Sequence, residues 1–328
     1  MIKLLRYAKN PILKPRLNIW WEARSVLNPG ATLDNNGNVI LFYRAMGGDR
    51  ISRFGLITSK DGYNFTKQND YPVFESDPAN LYERMGCEDP RITKIEDTYY
   101  ITYTATSVHP ATYPKEKFST SMLPWRVRVS LLSTKDFSQF KRHGVIIHGV
   151  DSKNAALFPE KINDQYAILH RIHPDIWIAY SKDLINWYDH RVIARPGKTW
   201  DSVKIGAGNP PIKTEFGWLS FYHGVDKDHT YRIGIMVFDL ENPAKIIYRS
   251  KNPILEPIKT YEKEGFEITF GKKISDVVFT NGVIEKNNQY FIYYGASDKY
   301  ICLATIAKDE LLTYLSKEIN HKWTKKQY

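Results

Sequence analysis

The chain has 328 residues, 42% of them hydrophobic and 25% charged, with a formal net charge of +10. That length fits one or two domains with a large core, and no run approaches the ~18 apolar residues of a membrane-spanning helix. The 46 Lys and Arg are dispersed, the one dense run being the C-terminal "HKWTKKQY". This argues against a nucleic-acid-binding surface and leaves a solvated surface or a small anionic ligand. Cys87 and Cys302 are isolated, so neither a disulfide framework nor a zinc site is indicated, and no metal or organic cofactor is expected.

From the N-terminus, "MIKLLRYAKNPILKP" has only a two-residue apolar patch between cations, which does not make a secretory signal; a cytoplasmic enzyme is expected. Five similar segments follow: "GATLDNNGNVILFYRA" (30–45), "PRITKIEDTYYITYTA" (90–105), "ALFPEKINDQYAILHRI" (156–172), "PPIKTEFGWLSFYHGV" (210–225) and "NGVIEKNNQYFIYYGA" (281–296). Each reads as an apolar strand, a polar turn and an aromatic-rich strand, the signature of a β-hairpin. Aligned on their second strands, they bring Arg44, Thr104, Arg171, His223 and Gly295 into register, at separations of 60, 67, 52 and 72 residues. A second echo, "GLITSKDGYNF" (55–65), "SLLSTKDFSQF" (130–140) and "WIAYSKDLINW" (177–187), ends a strand with Ser/Thr-Lys-Asp, and "RIGIMVFDLENPAKIIYR" (232–249) is a looser version. "NPILKP" (10–15) also matches "NPILEP" (252–257), which suggests that the first and last units close on one another.

Repeated antiparallel units with almost no helical periodicity before residue 306 predict an all-β fold, a five-bladed β-propeller forming a single catalytic domain over 1–328. Only the tail reads as a helix, 306–323, with Leu311, Leu312, Leu315 and Ile319 on one face. Radial symmetry would gather equivalent positions at one axial funnel: Asn28, Glu88 with Asp89, Asn154, Gly206 to Asn209 and Asn281, together with Arg44, Arg171 and His223. Lys204 joins them, ahead of a Gly-Ala-Gly turn that lets backbone approach a ligand. Each residue alone has a purely structural account; Arg91, for instance, could simply pair with Glu88. Together they place several cations around Asp89, and an anion in the pocket explains that grouping most simply. Hydrolase, metalloprotease and kinase motifs are missing.

The ordered series "GCEDPRI", "NAALFPEKI", "LHR", "KIGAGNPPI", "GWLSFYHGV", "DVVFTNG" and "YYGASDKY" resembles glycoside hydrolase family 130 over nearly the whole chain. This family comprises β-mannoside phosphorylases and related hydrolases built as five-bladed β-propellers. The resemblance implies inverting phosphorolysis of β-mannosides to α-mannose 1-phosphate, with inorganic phosphate as co-substrate. It casts Asp89 as the catalytic acid, delivering its proton through the 3-hydroxyl of the bound mannose. Asn154, Arg171, Lys204 and His223 would bind phosphate, with Tyr231 a further candidate there or at the sugar. Asn28, Arg44 and Asp298 would contact the mannose, with Arg53 and Glu88 further candidates; read from the residues themselves, Glu88 and Arg91 orient Asp89 and hold the local structure. An inverting hydrolase would need a second carboxylate to activate water; Asp175, Asp226 and Asp276 are the acids available, and none occupies a repeat-aligned axial position. The alternatives are an inverting β-mannosidase and a non-catalytic glycan-binding propeller. The linkage (β-1,4 or β-1,2) and the acceptor (mannose, glucose or N-acetylglucosamine) stay open, with the insertion 106–128 expected to act as a lid, an oligomer contact or a passive loop. The C-terminal helix and exposed aromatics leave room for a homo-oligomer.

Overall fold

The computed structural model describes residues 2–66, 69–109, 125–264 and 276–324. Positions 110–124 of the 106–128 insertion therefore lie outside the described residues. After β1 (Leu5–Arg6), the strands fall into groups in chain order. The first is β2 (Ser25–Leu33), β3 (Val39–Met46) and β4 (Ser52–Ser59). The second is β5 (Gly86–Ile95), β6 (Thr98–Val108), β7 (Trp125–Thr134) and β8 (Lys141–Val145). β9 (Lys153–Leu157), β10 (Tyr166–Ile172), β11 (Asp175–Ser181) and β12 (Trp187–Ala194) make the third. The fourth holds β13 (Lys204–Ala207), β14 (Ile212–Thr214), β15 (Gly217–Val225), β16 (Tyr231–Phe238) and β17 (Ile246–Arg249). The last holds β18 (Val278–Lys286), β19 (Gln289–Ala296) and β20 (Tyr300–Ala307), followed by α1 (Lys308–Thr324).

All pairing inside a group is antiparallel, and the first two groups join into one seven-stranded sheet through a single parallel pair, Ser52 with Gly86. β1 leaves the N-terminus to pair with β20, so the chain's start completes its last sheet. The two NPIL segments occupy equivalent places in the last two groups rather than in the first and last. Leu13 bridges Ile301 of β20, and Leu255 bridges Ile233 of β16.

The core lies in the seams between consecutive groups. Phe42 and Phe54 meet Tyr99 and Tyr103; Val129 and Leu131 meet Leu157 and Ile168; Ala156 and Ile178 meet Trp218 and Phe238. Phe221 and Ile235 meet Tyr294 and Ala304, and Leu41 and Tyr43 of the first group meet Phe291 and Leu303 of the last. In α1, Leu311, Leu315 and Ile319 are buried in the fourth seam, while Leu312 is only partly covered because an i, i+4, i+8 stripe leaves it on the flank. No helix among the described residues is long and apolar enough to cross a membrane.

The Ser/Thr-Lys-Asp echo is a repeated turn. The hydroxyls of Ser59, Thr134 and Ser181 accept the N–H groups of Gly62, Phe137 and Leu184, all at positive φ. The carboxylates of Asp61, Asp136 and Asp183 accept further N–H groups beyond, as in an Asx turn.

Candidate active site

Three groups place their key side chain with the same backbone device. At Asn28, Asp89 and Asn154, two residues of the first strand stand opposite one of the second, and φ is 45°, 53° and 54°. Asn and Asp tolerate the left-handed conformation best among residues with a Cβ, and a bulge re-aims the side chain it carries. Of the residues aligned by sequence, Arg44, Thr104 and Arg171 hold the positions just before these bulges, opposite Leu27, Glu88 and Lys153, while His223 pairs with Gly206 and Gly295 with Phe279.

The side chains converge on a cavity of about 140 Å³. One wall is acidic. Asp89 Oδ1 accepts Asn28 Nδ2 at 2.9 Å and Arg44 Nη1 at 3.2 Å, while Arg44 Nη2 reaches Glu88 Oε1 at 2.7 Å. Arg44 Nε donates to Ser52 Oγ at 2.9 Å, which fixes the guanidinium between the two acids. Burial pushes the Asp89 carboxyl up, but Arg44, the Asn28 hydrogen bond, Arg91 and Lys153 together hold it below the ordinary range. Asp298, also lining the cavity, goes the other way. Burial, against the pull of Arg44, and the like charges of Asp89 and Glu88 push it up to about 6.

The rest of the wall is built from Lys153, Asn154, Arg171, His223 and Tyr231, with Val277 and Phe279. Arg171 Nη1 and Asn154 Nδ2 both approach His223 Nε2, at 3.2 and 3.3 Å. Two donors on one nitrogen require a lone pair there, so the imidazole is neutral and its buried Nδ1 carries the proton. Burial first, then Arg171, Arg91, Lys204 and Lys153, drive His223 well below its ordinary value. Nδ1 has no hydrogen-bond partner among the described residues. Lys204 Nζ lies 5.1 Å from the centre of the Tyr231 ring at the edge of this wall, and burial with Arg171 and Lys153 lowers it to about 8. Burial, with Asp298 and Asp89 adding against Arg171, pushes the Tyr231 hydroxyl up to about 12. Among the described residues no ion pair includes Lys153, Arg171 or Lys204.

Two glycines make this packing feasible. A Cβ on Gly206 would sit 2.4 Å from His223 Cε1 and 2.5 Å from Asn154 Nδ2, and one on Gly295 would sit 2.1 Å from Asn28 Oδ1. In the Gly-Ala-Gly segment, Gly206 thus admits the His223 and Asn154 side chains and Gly208 the Phe221 carbonyl. Nor does Arg91 pair with Glu88. It donates to the carbonyls of Gly208 (2.6 Å), Ala207 (3.0 Å) and Asp89 (3.0 Å), stitching the second group to the fourth.

Ten of the residues named from sequence are therefore at or beside the cavity: Asn28, Arg44, Glu88, Asp89, Asn154, Arg171, Lys204, His223, Tyr231 and Asp298. Arg53 is not. It is held by Asp49 and Glu75 and stacks on Trp20. Asp175, Asp226 and Asp276 do not line the cavity, and Asp226 is paired with Arg232 at 2.5 Å. Sequence reasoning missed Lys153 and Phe279. Lys153 stands where Glu88 stands in the second repeat, one residue before the bulge, so the repeat register carried the signal.

Residues 12–317 match the family model described as beta-1,4-mannooligosaccharide phosphorylase. The chain belongs to glycoside hydrolase family 130. Within the family it is 41% identical to a 1,2-beta-oligomannan phosphorylase of Thermoanaerobacter sp. (strain X514), covering 95% of this chain and 99% of that protein. A beta-1,2-mannobiose phosphorylase of the same organism is 38% identical over 95% of this chain and 99% of its own. The solved structure of a beta-1,2-mannobiose phosphorylase from Listeria innocua in complex with beta-1,2-mannobiose is similar with a TM-score of 0.79. It is 30% identical and covers 96% of this chain and 99% of that one.

Proposed function

We propose that this family 130 member is an inverting phosphorylase of β-mannosides, with β-1,2-linked manno-oligosaccharides as substrates and α-mannose 1-phosphate as product. The observation that carries the reading is the grouping of Lys153 and Arg171, with Lys204 beside them, cations without carboxylate partners among the described residues, around the cavity that also holds Asp89. Arg171 is buried and the two lysines are partly buried, and like charges gathered there without a counter-ion are costly. A phosphate dianion removes that cost through charge-assisted hydrogen bonds, and the amide of Asn154 adds a further donor. A hydrolase would instead need a second carboxylate ~6.5–9.5 Å from the acid to activate water. Here Glu88 and Asp89 are both engaged by Arg44, which Asp298 also influences.

In the proposed reaction, Asn28, Arg44 and Asp298 hold the mannose over Asp89. A phosphate oxygen bonds to the anomeric carbon as the glycosidic C–O bond breaks, and the Asp89 proton passes through the sugar 3-hydroxyl to the departing oxygen. Free Asp89 is held ionised by the surrounding cations. Bound phosphate offsets those cations and lets Asp89 take up the proton it donates. The five seams, the last joining first and last groups, support a single five-bladed propeller over 1–328 with the cavity on its axis. Two free, buried cysteines are in keeping with a reducing, cytoplasmic setting.

The β-1,2 linkage is favoured because the relatives at 41% and 38% identity both carry that name. Phosphorolysis of β-1,2-mannobiose, β-1,4-mannobiose and 4-O-β-mannosyl-glucose, assayed side by side with phosphate, tests it. The β-1,2 compound is expected to have the highest kcat/KM; a higher value for either of the others would overturn the assignment.

A further inference from the structure

The third group carries a chain of side-chain hydrogen bonds for which the proposed reaction has no use. Ser152 Oγ lies 2.9 Å from His170 Nδ1, His170 Nε2 lies 3.1 Å from His190 Nδ1, and His190 Nε2 lies 3.3 Å from the Trp187 carbonyl oxygen. A carbonyl only accepts, so His190 carries a proton on Nε2 and, when uncharged, a lone pair on Nδ1. His170 therefore donates from Nε2 and presents a lone pair at Nδ1, to which the Ser152 hydroxyl donates. Burial, with His190 adding, lowers His170 to about 3, which keeps its imidazole neutral. Ser152 and His170 are both buried, so losing their bond would leave a buried polar atom unpaired.

This chain ends on the bulge that carries Asn154. Leu169 pairs with Ala156 and Arg171 with Lys153, so His170 is the one residue standing opposite Asn154 and Ala155. In the first two groups the same position is held by Tyr43 and Tyr103, whose hydroxyls donate to the buried Glu22 and Glu83. There the bulge residue is followed by a proline, Pro29 or Pro90, whose ring fixes φ. Ala155 takes that place in the third group and imposes no such constraint. Here the residue opposite the bulge bonds instead to Ser152, which leads into the bulged strand next to Lys153. The Ser152 N–H in turn donates to the Val127 carbonyl of β7 at 3.1 Å. The bulge is thus tied to β10 on one side and to the second group on the other.

We propose that Ser152 and His170, with His190 behind them, are positioning residues that set the third bulge and thereby the phosphate-binding part of the cavity. The inference rests on the phosphorylase reading above. Lys153, Asn154 and Arg171 come from this bulge and its cross-strand pair, whereas Asn28, Arg44, Asp89 and Asp298 belong to other groups. Loosening the Ser152–His170 bond should therefore weaken phosphate binding without weakening sugar binding. Steady-state kinetics with β-1,2-mannobiose and inorganic phosphate test this in wild type, Ser152→Ala, His170→Phe and the double variant. Each single change should raise KM for phosphate about fivefold or more, with KM for mannobiose held within about twofold. The double variant should be no worse than the poorer single one, since both changes break the same bond. A phosphate KM that moves less than about fivefold in Ser152→Ala, or a mannobiose KM that rises in parallel, overturns the positioning role. Effects that multiply in the double variant overturn it as well, and all three results leave the phosphorylase reading intact. If His170→Phe does not fold, the two KM values of Ser152→Ala decide alone. A wild type that consumes mannobiose equally well without phosphate, or not at all, overturns the reading itself.

Discussion

Asp89 holds its place through a left-handed bulge and two donors on one oxygen, Asn28 and Arg44. Replacing it with Asn keeps the shape but supplies no transferable proton. General acid catalysis contributes ~10²–10⁴-fold, so Asp89→Asn should lower kcat about 10³-fold with the melting temperature maintained; a loss under tenfold would remove Asp89 from the acid's role. Asp298 permits a prediction of opposite kind. Its folded-state pKa, near 6, lies above the ordinary carboxyl value of 3.8. Protonation therefore favours the native state, and the resulting stability is present below pH ~4 and lost as pH rises through 6. Asp298→Asn should then be more stable than wild type at pH 8, on the order of 1–2 kcal/mol, and the gain should vanish near pH 4. Melting curves at the two pH values check this, and a pH-independent difference would contradict it. At this scale the sequence was legible wherever a residue occupied a repeat-aligned position. Arg53 misled because it sits opposite Ala45 and faces away from Arg44, while Lys153 went unread beside the more conspicuous Asn154.

Bulges and turns are what convert the hairpins into a site. The alternation of apolar and polar residues announced each hairpin, and Asn-Pro and Asp-Pro at 28–29 and 89–90 sit where the extra residue enters. What alternation cannot convey is how closely one group approaches the next. That distance appears at Gly295, where β19 passes the Asn28 bulge with no room for a methyl group. Gly295→Ala should displace Asn28 from Asp89 and reduce kcat/KM at least tenfold, while the melting temperature falls by only a few degrees. Steady-state kinetics beside thermal melts would decide it. Unchanged activity would show that the Asn28–Asp89 bond is dispensable. The Ser/Thr-Lys-Asp echo was legible as a turn, but its hydroxyl-to-amide and carboxylate-to-amide pattern became evident only from the bonds themselves.

For the whole molecule, the N-terminal segment matters as much as the repeats. Ile2 and Leu4 are buried against the fourth and last groups, Arg6 pairs with the buried Glu262 at 2.7 Å, and β1 completes the last sheet. The similarity of "NPILKP" to "NPILEP" pointed to closure, although the units it relates are the last and the fourth. The packing of first against last group matters to function because residues from all five groups line the cavity, and the packed seams between the groups fix their separation. The central claim is that this separation serves phosphate rather than water. Phosphorus NMR of the enzyme with β-1,2-mannobiose and inorganic phosphate should reveal α-mannose 1-phosphate appearing in step with mannose, with no turnover when phosphate is withheld. Release of mannose at the same rate without phosphate, and with no phosphate ester formed, would contradict the account.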